Sequence, residues 1–259
     1  MCGIIGIFNS GNAAEKAIQG LNSIKERGRE SYGISNGTEI KIFKDVSEMK
    51  SLAGKNIVCH CLHSVVSYMP QPIKGESEKS ILSANCEIYN WKELNEKYNL
   101  NAENDADMLL KLLGKIGVEK SLKEFDGTYA FAYWLDDKLY LARDIIGVKP
   151  LWYSQTDSFG FASEKKALEK LGYDTCFELN PRKILAYDIK SSKVSFIERE
   201  FFSLKPENKK NSGTIKKEVS GLILNAIAKR IPDKKFGLLF SGGIDSSTIA
   251  MAMKNLGLN

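Results

Sequence analysis

The chain has 259 residues, 43% of them hydrophobic, and a formal net charge of +5 from 37 basic and 32 acidic residues. This length suits one full domain and part of another, and the composition is that of a globular protein. Because the basic residues are scattered, without an arginine-rich arm, we expect no nucleic-acid partner. No apolar run approaches bilayer length and no charged leader precedes one, so we expect a cytoplasmic protein that does not contact a membrane.

The N-terminus is the first candidate site. If Met1 is removed, Cys2 carries both a thiol nucleophile and a free α-amine able to act as its base. The apolar run over residues 4–8 predicts a buried strand that holds this end rigidly. An ordinary buried strand with an incidental cysteine is the alternative. The five cysteines are an odd number at wide spacing, so we expect reduced thiols.

The next segments predict a helix and two strands. Apolar residues recur at helical spacing from Ala14 to Leu21, and residues 38–44 and 57–62 have the composition of strands. Between them, residues 27–33 predict a charged loop, bounded by glycines, that leans over a polar site.

Both histidines and two cysteines lie at the end of the second of these strands, which makes a metal site a hypothesis to test. On a strand, Cys59, Cys61 and His63 share one face, whereas His60 and Leu62 share the other. Three ligands on one side are fewer than the four of a structural zinc site. Buried cysteines usually behave as small apolar residues, so we predict no metal.

Further along the chain, residues 81–90 predict an apolar strand that ends in polar residues before a helix. Asn85 and Glu87 lie at this strand end, where they are well placed to bind a small polar ligand or simply to cap the turn. Asp105 starts another helix, where N-capping alone would explain it. Residues 125–162 predict short strands joined by tight turns and therefore antiparallel pairing, and strands near 184–189 and 194–197 follow.

The last part of the chain differs in character. Residues 204–214 are polar, charged and non-periodic, which predicts an inter-domain linker. Helical spacing over 215–231 and a strand over 236–240 follow, and residues 241–247 open a final helix. Glycines before a helix N-terminus let backbone N–H groups approach an anion, so this loop predicts a phosphate site.

Eight ordered segments are shared with one known family. They are Cys2-Gly-Ile-Ile-Gly, Arg27-Gly28, Asn85-Cys-Glu-Ile-Tyr-Asn90, Asp105, Phe125-Asp-Gly-Thr-Tyr-Ala-Phe-Ala, Arg143-Asp-Ile-Ile-Gly-Val-Lys-Pro-Leu151, Ser163-Glu164 and Ser241-Gly-Gly-Ile-Asp-Ser-Ser247. In this order they resemble the glutamine-hydrolysing asparagine synthetases. The loop over 27–33 is closer to that of the phosphoribosyl-pyrophosphate amidotransferases, which lack the 241–247 loop.

The resemblance implies an α+β fold, namely a four-layer αββα sandwich of the N-terminal-nucleophile hydrolase type. The truncated start of an α/β ATP pyrophosphatase domain would follow. It implies a class II glutaminase domain over 2–203, a linker over 204–214 and the pyrophosphatase fragment over 215–259. Because domains of even about 60 residues are marginal, we expect that fragment to be completed by a missing synthetase region or a partner chain. A homodimer is also compatible with the resemblance.

The resemblance also implies a function in asparagine biosynthesis. Cys2 would hydrolyse glutamine to glutamate and ammonia through a thioester, and the ammonia would pass to an acyl adenylate made from aspartate with ATP and Mg²⁺. Asn85 and the Cys86 backbone N–H would form the oxyanion hole, while Glu87 and Asp105 would hold the substrate ammonium. No metal ligand is implied. The implied nucleotide contacts are Leu239, Ser241, Gly242, Gly243, Asp245 and Ser246.

Two departures from the family pattern concern the substrate pocket. Leu62 stands where the family has an arginine that pairs with the glutamine carboxylate, a bond whose net contribution is about 1.5 to 3 kcal/mol. Arg29 or His63 would have to supply the cation instead. Cys86 stands where the family has glycine. These changes leave open two alternatives: a glutaminase module serving a different acyl acceptor, and a non-hydrolysing binding module.

Overall fold

The computed structural model describes residues 1–64, 67–75, 80–207, 209–232 and 235–258. The chain divides into two compact units, Met1–Phe201 and Phe202–Asn259. No described helix has both the length and the apolar character that crossing a bilayer requires.

The first unit contains two antiparallel sheets and several helices. Its strands are β1 (Gly3–Phe8), β2 (Ser31–Ser35), β3 (Ile40–Phe43), β4 (Ile57–Leu62), β5 (Ile73–Lys74), β6 (Ser80–Ile88), β7 (Gly127–Leu135), β8 (Lys138–Arg143), β9 (Trp152–Gln155), β10 (Phe159–Ala162), β11 (Phe177–Glu178), β12 (Lys183–Asp188) and β13 (Lys193–Glu198). Its helices are α1 (Ala13–Ser23), α2 (Trp91–Tyr98), α3 (Asp105–Ile116), α4 (Val118–Glu124) and α5 (Lys165–Glu169). Short 3₁₀ turns occupy Lys25–Arg27 and Val46–Glu48.

The N-terminal strand lies at the centre of the first sheet. That sheet has seven strands in the order β11-β9-β10-β1-β4-β2-β3, and the second has six in the order β13-β12-β8-β7-β6-β5. β1 pairs antiparallel with both β10 and β4. A central strand is bonded on both sides, so the residue that precedes it is held firmly in place.

Three apolar layers show that the unit is a four-layer αββα sandwich. One packs the first sheet against α1, one fills the space between the sheets, and one packs the second sheet against α3. Alternation along the strands distributes side chains to these layers. The layers are represented by Ile5, Leu21 and Cys59 for the first, Phe8, Val58 and Leu141 for the second, and Leu82, Leu109 and Phe131 for the third. The predicted fold class and antiparallel pairing are therefore confirmed.

One predicted loop is partly a strand. Residues 27–33 were expected to be irregular, but β2 begins at Ser31 and pairs with β3 and β4. The pairing partners lie elsewhere in the sequence, so local composition does not reveal this strand. Gly28 lies outside β2 and has no room for a side chain, because a Cβ there would lie 2.5 Å from the carbonyl carbon of Leu62.

The second unit contains two described helices, α6 (Ser212–Ala228) and α7 (Ile244–Asn255). The predicted linker over 204–214 ends in the first turn of α6, whose N-cap is Asn211. The strand predicted over residues 236–240 is wrong, since these residues have no regular structure. A strand needs a neighbour to pair with, and the described part of this unit offers none. Leu239 is 97% exposed as a result.

Candidate active site

The start of β1 opens onto a cavity of about 220 Å³ that collects most of the predicted catalytic and substrate-binding residues. This is below the roughly 300–1,000 Å³ typical of sites for drug-sized ligands, so it suits a molecule of amino-acid size. Its walls combine the ends of β4 and β6 with the first turn of α3. The lining residues are Met1, Cys2, Leu62, His63, Ser64, Ser67, Met69, Gln71, Ala84, Asn85, Cys86, Glu87, Asn104, Asp105, Ala106 and Lys149.

The Cys2 thiol is buried and fixed by the backbone that follows β4. Its Sγ lies 3.5 Å from the carbonyl oxygen of His63 and 3.4 Å from the His63 backbone N–H, so it can donate to the first and accept from the second. Burial raises the pKa of the Cys2 thiol, while the His63 hydrogen bond, the N-terminal amine and Lys149 oppose that rise. A thiol held mainly in its neutral form needs a base before it can attack.

The N-terminal amine is one candidate for that base. It belongs to Met1 while Met1 is present, and burial lowers its pKa. The charge of Cys2 also acts on it, so the two groups are close enough to influence each other. Once Met1 is removed, the terminal amine is that of Cys2 itself, on the same residue as the thiol.

Two of the shared sequence segments lie far from Cys2 in the chain but contact Cys2 or its strand in the fold. They contain Arg27 and the pair Ser163 and Glu164. Arg27 donates from Nε to the Cys2 carbonyl oxygen at 3.0 Å, and its Nη1 pairs with Glu164 Oε1 at 3.0 Å. Ser163 exchanges hydrogen bonds with Ile4, through its Oγ at 3.0 Å and its backbone N–H at 2.9 Å. These contacts hold the backbone of the first residues of β1.

Asn85 contributes a free donor to the cavity. It is buried in β6, and its Nδ2 has no hydrogen-bond partner within the described residues. Buried polar groups are nearly always paired, because leaving one unpaired costs about 1–3 kcal/mol. Ser83, two residues earlier on the same face, does find a partner in the carbonyl oxygen of Cys59 at 3.4 Å. An unpaired donor in a cavity wall is therefore a prepared binding group.

The Cys86 side chain contacts Asp105 instead of leaving an open space. Burial raises the pKa of Cys86 well above its usual value, and the charge of Asp105 adds to that rise. Asp105 also accepts from the Ile88 backbone N–H at 3.1 Å. Burial raises the pKa of Asp105, with hydrogen bonds from Ile88 and Ala106 opposing and the charge of Glu87 adding to the rise. The two carboxylates thus share one wall of the cavity.

Asp105 is the first residue of α3 but not its cap. The N-cap is Asn104, whose Oδ1 accepts from the Asp107 backbone N–H at 2.9 Å. Helix capping is therefore not the role of the Asp105 carboxylate, which lines the cavity.

Two cations were predicted for the substrate carboxylate, Arg29 and His63, and the structure adds a third, Lys149. They have different positions. Arg29 does not line the cavity; its side chain is 73% exposed and pairs with Glu26. His63 does line it, but half of its side chain is exposed and its Nδ1 lies 3.7 Å from Glu30. Lys149, to which the sequence had assigned no role, lies in the wall and is buried. Leu62 lines the cavity and supplies no charge.

The histidine and cysteines of β4 divide between two faces, as alternation predicts. Cys59 and Cys61 pack with the α1 layer, and burial raises the pKa of Cys61 to about 12. His60 points towards β6, with Nε2 3.1 Å from the Ala84 carbonyl oxygen. That acceptor makes Nε2 the protonated nitrogen, and burial lowers the pKa of His60 to about 4. The described residues contain no cluster of three potential metal ligands.

Gln71 is a further buried residue that sequence reasoning passed over. Its side chain accepts from the Ala84 backbone N–H at 2.7 Å and donates to the Ala84 carbonyl oxygen at 3.1 Å. It thereby occupies backbone groups of β6 next to Asn85. A glutamine between two prolines gives no sequence signal for this role.

In the second unit, residues 241–247 form a tight loop into α7. Gly242 has φ +77°, and Gly243 is the N-cap of the helix. Ser241 Oγ lies 3.2 Å from Ser246 Oγ, and Ser246 Oγ donates to the Gly243 carbonyl oxygen at 3.1 Å. Nothing lies within 4 Å of the position a Cβ would take at Gly242, so an anion can approach the backbone there.

The fold is an α+β sandwich of two antiparallel sheets with a cysteine directly before a central strand, and solved structures share it. A glutamine phosphoribosylpyrophosphate amidotransferase from B. subtilis matches with a TM-score of 0.65 at 20% identity, over 99% of this chain and 64% of the other. An allosteric regulatory enzyme of purine biosynthesis matches with a TM-score of 0.66 at 22% identity, over 78% of this chain and 50% of that chain. At these identities the likeness shows the fold.

The chain belongs to the glutamine amidotransferase domain family, which matches residues 1–206. A Methanocaldococcus jannaschii protein named as an asparagine synthetase of the glutamine-hydrolysing type is 34% identical over 275 aligned positions, covering 96% of this chain and 51% of that protein. The Gallus gallus asparagine synthetase, also named as glutamine-hydrolysing, is 30% identical, covering 99% and 49%. The chain thus spans about half the length of the curated relatives it matches.

Proposed function

We propose that this chain hydrolyses L-glutamine to L-glutamate and ammonia, with Cys2 as the nucleophile once Met1 has been removed. The observation that carries the proposal is the buried, unpaired Nδ2 of Asn85 in the same cavity as the Cys2 thiol. A donor held without a partner beside a nucleophile suits an oxygen that becomes negative only during reaction.

In the first half-reaction, the Cys2 sulfur bonds to the side-chain carbonyl carbon of glutamine, and its proton moves to the N-terminal amine. The carbonyl electron pair moves onto the oxygen, which Asn85 Nδ2 and the Cys86 backbone N–H stabilise. The carbon–nitrogen bond then breaks, and the amine returns its proton to the leaving nitrogen. The products are ammonia and a glutamyl thioester on Cys2.

In the second half-reaction, water attacks the thioester carbon and gives a proton to the same amine. The carbon–sulfur bond breaks, the sulfur regains the proton, and glutamate leaves. Glu87 and Asp105 hold the α-ammonium of the substrate throughout. Both carboxylates line the same cavity as Cys2, which supports this role, since opposite charges attract strongly in a buried site.

We extend the proposal to a longer architecture in which the ammonia serves ATP-dependent amide synthesis. The ammonia acceptor would be an acyl adenylate, with aspartate as the candidate acyl group and asparagine as the product. The loop over 241–247 fits the phosphates of ATP, through Ser241, Gly242, Gly243 and Ser246, and ATP with Mg²⁺ would supply the activation of the acid. Asp245 and Leu239 stay predictions as nucleotide contacts. The partial coverage of the relatives supports a synthetase region outside this chain.

The test is release of glutamate and ammonia from glutamine by the purified chain, in equal amounts, with Cys2→Ala as the control. We expect turnover by the wild-type chain and none by the variant. If a chain whose mass proves that Met1 is absent releases no glutamate, the proposal is wrong.

A further inference from the structure

A zwitterionic amino acid needs a cation for its carboxylate as well as an anion for its ammonium. The cavity supplies the anions through Glu87 and Asp105. Leu62, also in the wall, is apolar and buried, and Arg29 lies elsewhere. Among the residues that line the cavity, Lys149 is the one lysine or arginine.

The backbone that carries Lys149 is rigidly held. The buried carboxylate of Asp144 accepts from the Lys149 N–H at 3.0 Å and from the Val148 N–H at 2.9 Å. The Asp144 N–H in turn donates to the carbonyl oxygen of Tyr129 in β7 at 2.7 Å. Gly147 has φ +77°, which allows the tight turn between Asp144 and Lys149. A fixed backbone limits where the lysine side chain can reach.

The Lys149 side chain is mostly buried and has no counter-ion among the residues that the structure describes. Only 9% of the residue is exposed, and its Nζ makes no hydrogen bond or ion pair with any residue that the structure describes. Burying a charge is costly unless it is paired. An unpaired, mostly buried ammonium in a cavity wall is therefore prepared for an anion that arrives with a ligand.

Lys149 lines the cavity together with Cys2 and Cys86. The charge of Lys149 lowers the pKa values of Cys2 and Cys86 against the larger effect of burial, so it acts on two residues of the cavity. The cavity thus presents a cation and a pair of carboxylates around one nucleophile. This charge pattern complements an α-amino acid whose side chain reaches the thiol.

We propose that Lys149 binds the α-carboxylate of the amino-acid substrate and replaces the cation that is missing at Leu62. The inference rests on the proposed glutaminase function and adds the residue that determines specificity for an α-carboxylate. A lysine is a compact point charge rather than a planar fork, so the carboxylate is held by charge more than by bidentate geometry.

The test compares two ligands of nearly equal size. One is L-glutamine, and the other is L-glutamine α-amide, in which a neutral carboxamide replaces the α-carboxylate. The KM of glutamine and the inhibition constant of the α-amide are measured for the wild-type chain, Lys149→Met and Lys149→Arg. Lys170→Met, at an exposed lysine outside the cavity, is the matched control.

We expect Lys149→Met to raise the KM of glutamine about 10- to 100-fold, the range for a lost hydrogen bond to a charged group. The inhibition constant of the α-amide should stay within about threefold. Lys149→Arg should keep most of the preference, and Lys170→Met should change neither constant.

An unchanged KM, or a parallel rise of both constants, would overturn the role of Lys149. A fall in kcat alone, with a shift in the pH dependence of Cys2 alkylation, would also overturn this role. That pattern would show that Lys149 changes the pKa of the Cys2 thiol and does not bind the carboxylate. The KM of glutamine and the inhibition constant of the α-amide do not depend on the folded fraction of a variant. If Lys149→Met does not fold, Lys149→Gln is measured in its place. Absence of turnover in the wild-type chain would refute the glutaminase function instead.

Discussion

Replacing Asn85 by alanine tests whether its unpaired amide serves catalysis or merely fills the core. The amide nitrogen is buried without a partner among the described residues, so it contributes a desolvation cost to the folded state. Removing it should relieve about 1–3 kcal/mol of that cost. The loss of the side chain's packing opposes this gain, because a small cavity remains. We therefore expect a net change in the free energy of unfolding within about 1 kcal/mol.

Catalysis should respond very differently. Removing one donor to a developing oxyanion costs about 2.7–4 kcal/mol of transition-state stabilisation, or about 10²- to 10³-fold in kcat. The KM of glutamine should change little, because the donor acts mainly after the oxygen becomes negative. Asn85→Ala is thus expected to be as stable as the wild-type chain but nearly inactive.

Urea unfolding and steady-state glutaminase kinetics on the same preparations measure both quantities. Ser83→Ala is the matched control, because Ser83 lies on the same strand and face but its hydroxyl is paired with Cys59. That variant should lose about 1 kcal/mol or less of stability and keep its kcat. The reasoning fails if Asn85→Ala unfolds at much lower urea while its remaining folded fraction keeps normal kcat.

Three other predictions follow from the contacts around β1, β4 and the nucleophile. Glu164→Gln leaves the largely buried Arg27 without its ion pair. The kcat/KM for glutamine should therefore fall, and the free energy of unfolding in urea should fall by about 1–3 kcal/mol. Unchanged values would show that Arg27 holds Cys2 without Glu164. His60 has a pKa of about 4 because it is buried, against 6.5 when exposed, so the folded state should lose stability as pH falls from about 6.5 to about 4. The loss should be about 3 kcal/mol larger than in His60→Gln, and equal pH profiles of the two proteins would refute it. Burial raises the pKa of Cys2, so its alkylation rate should keep rising above the pH at which an exposed thiol is fully ionised, and an earlier plateau would contradict that assignment.

Local sequence patterns predicted the structural features that depend only on residues close together in the chain. Period-two alternation placed Cys59 and Cys61 on one face of β4 and His60 on the other, and the structure shows this division. The apolar run behind Cys2 predicted β1, although not that it would be the strand between β10 and β4. Alternation depends only on backbone geometry, so it survives without knowledge of the partners.

Features that depend on contacts between distant parts of the chain could not be predicted from the sequence. No role was predicted for Lys149 from the sequence, and only the packing of the segment after β8 against the cavity reveals that it is a mostly buried cation. Arg29 looked suitable by type, but the sheet leaves it exposed beside Glu26. The strand over 236–240 failed for the related reason that a strand requires a neighbour, which no local propensity supplies.

The central claim is that Cys2 is a nucleophile whose substrate is glutamine. An electrophilic glutamine analogue carries a diazoketone in place of the carboxamide. When it binds in the cavity, the Cys2 thiol should attack the carbon of the diazo group and become covalently attached to it. Peptide mapping by mass spectrometry should then find one adduct, on a Cys2 that is the first residue, with L-glutamine protecting it and Asn85→Ala labelling slowly. Attachment to Cys61, Cys86 or Cys176 instead, or labelling of Cys2 that glutamine does not suppress, would contradict the claim.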